Sequence, residues 1–105
     1  MKKIVILAPA RQEIIDALSY YDNPEVLLKQ ALAQEIRNSL KTVHAFPRLG
    51  PVIEGRIRKL RIKRFPYHIL YADNEQETVV VALMHDKQKP GRWKGNYDGA
   101  ELEIF

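Results

Sequence analysis

The sequence predicts a single α+β domain, a helical hairpin packed on a twisted antiparallel-rich sheet, in the order β-α-α-β-β-β. Three observations carry this. The chain has 105 residues, the length of one domain. Its first half holds two stretches with apolar residues at helical spacing, separated by Asp22-Asn23-Pro24. Its second half holds three short β-rich runs, broken at Pro66 and at Asp73-Asn74-Glu75-Gln76, spaced closely enough for an antiparallel meander.

Taken in order, residues 2–8 are rich in Ile and Val and read as a buried strand that Pro9 ends. From 10 to 21, Ile14, Ile15, Leu18 and Tyr21 recur with a helical period. Asn23 is a good N-cap and Pro24 a good first helical residue, so a second helix is expected over 24–45. Leu27, Leu28, Ala31, Leu32, Ile36, Leu40 and Val43 would form its apolar face. Both stripes need covering, and the sheet is the available partner. Residues 46–51, with Pro47, Gly50 and Pro51, read as loop. Strands are expected over 56–65, 67–73 and 77–85, the middle one flanked by the other two. The run from Thr78 to Met84 is almost wholly apolar, as in a strand buried on both faces. Residues 87–96 read as a polar loop, and the domain is expected to span 1–97, followed by an acidic tail over 98–105.

Composition narrows the chemistry. Cysteine is absent, which excludes disulfides and thiolate metal sites. No apolar run approaches the roughly 18 residues that cross a membrane. Net charge is +4, and it is unevenly spread. Residues 48–71 carry seven Lys/Arg against Glu54 alone, while Asp98, Glu101 and Glu103 close the chain. Such a local excess draws phosphate or an acidic protein segment. There is no Gly-rich phosphate loop, no His-x-x-x-His pair and no serine nucleophile motif. His44, His68 and His85 are scattered, so no metal site and no cofactor are expected. What remains is basic and aromatic. Lys59, Arg61 and Lys63 stand two residues apart, on one face of a strand. His68 lies on the next strand, and Lys87, Lys89, Arg92 and Trp93 follow the last one. Phe65, Tyr67 and Tyr71 read as sheet-packing residues.

In these residues the chain resembles the RelE/ParE superfamily, the small toxins of bacterial type II toxin–antitoxin modules. The resemblance covers nearly the whole chain. It rests on the helical hairpin, on Arg64-Phe65-Pro66-Tyr67-His68-Ile69-Leu70-Tyr71 after a basic strand, and on Val79 to His85 followed by Lys89-Pro90-Gly91-Arg92-Trp93. It implies a toxin of the bacterial cytoplasm, held by a small cognate antitoxin in a hetero-oligomer. It would meet operator DNA only through that antitoxin, and no membrane.

The superfamily's branches act differently. One resembles enzymes that cut mRNA on the ribosome without metal, by attack of the 2′-hydroxyl. Carried over by position, Lys59 and Arg61 would handle the nucleophile and phosphate, with Lys59 as general base. Lys87 stands where that branch has an Arg for developing charge, His68 where it commonly has Arg, and Trp93 where it has a Tyr that stacks on a base. Lys63, Arg64, His85, Lys89 and Arg92 would bind nucleic acid or antitoxin. The other branch resembles inhibitors that bind DNA gyrase without catalysis. The mRNA-cleaving reading is taken as the expectation, with gyrase binding as the alternative.

Overall fold

A computed structural model describes residues 2–96; the expected domain boundary at 97 and the acidic tail over 98–105 lie outside the described residues. The elements are β1 (Lys3–Ile6), α1 (Ala8–Tyr20), α2 (Leu28–Ala45), β2 (Val52–Glu54), β3 (Ile57–Arg61), β4 (Tyr67–Asp73), β5 (Glu77–His85) and a 3-10 helix (Arg92–Asn96). The strands form one sheet in the order β1-β5-β4-β3-β2. All neighbours pair antiparallel except β1, which runs parallel to β5 through Lys3↔Glu77 to Ile6↔Val80. The fold class is the expected one, with β2 added before the three strands of the meander.

The helix boundaries differ from expectation for local reasons. The first strand stops at Ile6, short of the expected 2–8, and Pro9 sits in the first turn of α1, which begins at Ala8. The first four helical N–H groups have no partner within the helix, so proline costs nothing there. Pro24 does not start α2. Asn23 closes a turn instead, its side-chain oxygen accepting from Glu25 N–H at 2.9 Å and its carbonyl from Val26 N–H at 3.1 Å. The asparagine satisfies its own neighbours as an Asx turn, and α2 starts four residues later than predicted. Leu27 and Leu28 are consequently exposed rather than part of the buried face, as is Ile15 of α1.

The core has two layers. Ala10 and Ala17 of α1, Leu32, Ile36 and Val43 of α2, and Ile69, Tyr71, Val80 and Leu83 of the sheet fill the helix side. On the opposite side Ile57, Leu70, Ala72, Val79, Val81 and Met84 pack around Trp93. The 3-10 helix thus covers part of that face. A β-bulge lets β5 serve both layers: Leu70 pairs with Ala82 and Tyr71 with Val80, leaving Val81 as the extra residue. The alternation of β5 inverts there.

Two side chains close the sheet where strands stop. β1 ends at Ile6, so among the described residues the far half of β5 has no strand beside it on that flank. Glu13 of α1 accepts the Leu83 N–H at 3.1 Å, and Asn96 donates to the Val81 carbonyl at 3.1 Å. Glu13 also pairs with Arg92 and accepts from Asn96, so helix, strand and 3-10 helix meet at one carboxylate. At the other end of the sheet the buried Tyr71 hydroxyl donates to the Pro47 carbonyl at 2.8 Å and accepts from Gly50 N–H at 3.0 Å. Arg58 adds a bond to the Gly50 carbonyl at 2.8 Å, fixing the loop between α2 and β2.

Candidate functional site

The groups that converge lie on the sheet face opposite the helices, at the end where β3, β4 and β5 finish together. Lys59 and Arg61 share one face of β3 with Ile57, and Arg61 is register-paired with His68 of β4. His68 in turn pairs with Met84, so Asp86, just past β5, stands alongside. His68 Nδ1 lies 3.0 Å from Asp86 Oδ1, and Arg61 forms an ion pair with the other carboxylate oxygen. The Asp86 N–H donates to the Pro66 carbonyl at 2.9 Å, which anchors this carboxylate to the β3–β4 turn.

His68 is 8% exposed. Burial lowers its pKa, the hydrogen bond to Asp86 pulls the other way, and the nearby charges of Lys59 and Arg61 push down again; the net result lies below the ordinary 6.5. The imidazole is therefore neutral near neutral pH, with Nδ1–H donating to Asp86 and Nε2 as its acceptor nitrogen. Asp86 is held below its ordinary 3.8: burial raises it, but hydrogen bonds from His68 and Arg61 outweigh that. The signs give a pH dependence. A histidine less basic in the fold than in the unfolded chain contributes fully above pH 6.5, and that contribution is lost as pH falls through its depressed pKa. Asp86 keeps its contribution down to about its unfolded value of 3.8. The melting temperature is expected to drop between pH 7.5 and 5.5, and His68→Gln to flatten that part of the profile. An equally steep profile in the variant would remove His68 as its source.

The other expected site residues are dispersed. β3 ends at Arg61, so Lys63 is in the turn rather than on the strand face with Lys59 and Arg61. Arg64 follows it with φ 72°, in the left-handed region. The bulge in β5 puts His85 on the helix side, its ring edge-on to Tyr67 at 5.2 Å between centroids, its Nδ1 accepting the Lys87 N–H. Lys87 and Lys89 are exposed. Arg92 is engaged with Glu13. Trp93 is 3% exposed and enclosed by Ile57, Leu70 and Met84. Its ring is a plug of the second core layer, with Lys94 Nζ 5.8 Å from its centroid. The histidines do not meet: His44 bonds the Lys2 carbonyl, and no group of three His, Asp or Glu that could hold a metal occurs among the described residues. No helix among the described residues is long and apolar enough to cross a membrane.

Two residues that organise this surface escaped the sequence reading. Asp86 has no role among the expected site residues; the register Tyr67↔His85 is what brings it level with His68 and Arg61. Glu13 belongs to no motif in the sequence. Its signal was geometric: a carboxylate on the first helix can reach the flank of β5 only because β1 stops short.

A two-helix hairpin on one side of a five-stranded, mostly antiparallel sheet defines a small α+β protein. The family model described as ParE toxin of type II toxin-antitoxin system, parDE, matches residues 4–90, and the chain belongs to that family. It is a toxin of a type II toxin–antitoxin system, with a cognate antitoxin as its partner. Among solved structures, a chain of a chromosomal ParDE toxin–antitoxin system from P. aeruginosa is similar in fold, with a TM-score of 0.69. The match is 16% identical in sequence and covers 81% of this chain and 96% of that one. No curated protein matches the sequence.

Proposed function

We propose that the toxin acts in the bacterial cytoplasm by binding DNA gyrase, without catalysis of its own. Membership of the ParE family supports this reading, and one observation carries it on the structural side. Of the groups that metal-independent RNA cleavage would require, Lys59, Arg61 and His68 share one face, but two of the five named are otherwise occupied. Arg61 is engaged by Asp86, and the one tryptophan able to stack on a base is enclosed. A ring with both faces packed offers no platform to a nucleotide. The toxin is neutralised by its antitoxin, and the pair would reach operator DNA through the antitoxin.

Cleavage of mRNA on the ribosome is the second reading. It is favoured by the His68–Asp86 pair beside Lys59, which leaves an imidazole nitrogen oriented as a base. One experiment separates the two. The double variant Lys59→Ala/Lys87→Ala is expected to arrest growth as the wild type does, with plasmid supercoiling altered to the same degree and no new message ends by primer extension. Translation-dependent cuts within codons, lost in the double variant, would replace the gyrase reading with the nuclease one.

A further inference from the structure

The end of the sheet where β3, β4 and β5 finish carries positive charge that the His68–Asp86 cluster does not use. Lys63 and Arg64 stand in the turn between β3 and β4, and Lys87 and Lys89 in the segment that follows β5. The two lie side by side, because Tyr67 pairs with His85 and the Asp86 N–H donates to the Pro66 carbonyl at 2.9 Å. All four residues are exposed, and none has a side-chain hydrogen bond or ion pair among the described residues. Asp86 does not neutralise them, since His68 and Arg61 hold its two carboxylate oxygens. Like charges on adjoining turns repel one another, and their summed field favours a polyanion.

The backbone at Arg64 adds a second observation. Its φ of 72° lies in the left-handed region, where a residue with a Cβ is strained and glycine is not. A turn that only joined two strands would be more stable with glycine at that position. Arginine instead sets a guanidinium at the tip, and strain of this kind is retained where a side chain is needed.

The aromatic residues select the kind of polyanion. Phe65, Tyr67 and Trp93, the rings nearest in sequence to these cations, are buried. Tyr20 is 80% exposed, but it borders a cleft on the helix side that it shares with Asp16 and the Glu13–Arg92 pair, where phosphate is not favoured. Single strands are held by rings that stack on their bases. A duplex keeps its bases stacked inside and offers phosphate rows that cations alone can grip.

We propose that this end of the toxin binds duplex DNA through the phosphate backbone, without sequence preference, by Lys63, Arg64, Lys87 and Lys89. Recognition of operator sequence stays with the antitoxin. The contact is separate from that with gyrase, so the two readings fail separately. The test is fluorescence anisotropy of a labelled mixed-sequence duplex titrated with the full-length toxin at several salt concentrations. Four cations, at about 0.9 each, give an expected slope of log Kd against log salt of about 3–4. Lys63→Glu/Lys89→Glu is expected to weaken binding about tenfold or more at low salt and to lower the slope by about 2. Lys3→Glu/Lys41→Glu makes the same change in net charge on β1 and α2, and is expected to leave the slope unchanged. Arg64→Gly is expected to weaken binding while keeping the melting temperature. Equal losses in the two double variants would overturn the surface, leaving net charge alone as the cause. Tighter binding of a single-stranded RNA of the same length would give this end to RNA instead. Unaltered plasmid supercoiling in cells, with salt-dependent duplex binding intact, would strike the gyrase reading and leave this one standing.

Discussion

Trp93→Ala is expected to destabilise the toxin by about 3–5 kcal/mol, the range for removing a large aromatic side chain from a core. The ring fills the layer between the 3-10 helix and the sheet, against Ile57, Leu70, Ala72, Val79 and Met84. Those neighbours belong to three hydrogen-bonded strands, which cannot collapse inward to fill the void, so the cavity term stays large. A domain of this length has a total stability of about 5–15 kcal/mol, so the variant sits near the edge of folding. The check is urea denaturation followed by far-UV circular dichroism, with Trp93→Phe alongside. If the ring packs rather than stacks on a substrate, Trp93→Phe recovers much of the stability and growth arrest follows stability across the series. Arrest abolished in a stably folded Trp93→Phe would instead assign the indole a direct role in the toxin's action.

Gly50→Ala is expected to cost about 2–4 kcal/mol, although it adds one methyl group to a loop. A Cβ at residue 50 would come within 2.4 Å of the Lys59 carbonyl oxygen and 2.8 Å of the Tyr71 hydroxyl. The first is strand backbone and cannot swing aside. Relief would require the loop to lift, lengthening the Gly50 N–H bond to Tyr71 and the Arg58 bond to the Gly50 carbonyl. Overpacking of about 1–3 kcal/mol and a lost buried hydrogen bond of about 1 kcal/mol make up the range. The matched control is Gly91→Ala, where a Cβ meets nothing within 4 Å and the expected change is small. Equal melting temperatures for the two variants would show that the loop yields freely and that the latch at Tyr71 does not hold it.

The sequence made the sheet legible where its signals were local. Tyr67–Asp73 and Glu77–His85 have the predicted boundaries, because the Asx turn at Asn74 and the unbroken apolar run announce themselves. Asn23-Pro24 misled for a related reason: the same residue types that cap a helix also close a turn, and only the chain's path decides between them. The short β2 was hidden by Pro51 and Gly55, and it pairs through a register shift that no alternation pattern encodes. The candidate site was half legible. Lys59, Arg61 and His68 share a face because strands alternate with period two, which is readable in the residues themselves. The pairing of His68 and Arg61 with Asp86, the inverted face of His85 and the burial of Trp93 all depend on the bulge at Val81 and on the return of the 3-10 helix over the sheet. Those are long-range facts, and a pattern of basic and aromatic residues cannot contain them.

The parallel pairing of β1 with β5 also sets a timetable. Lys3 leaves the ribosome first among the strand residues, yet its partner Glu77 is made after both helices and the rest of the meander. Until residues 77–80 have emerged, the first strand has no place in the sheet, because β5 is the strand that joins it to the meander. Contacts of this sequence separation form late and slow folding. A nascent toxin is thus an unfinished one for most of its synthesis, and the cell that makes it is not exposed to a folded molecule until nearly all of the described chain is out.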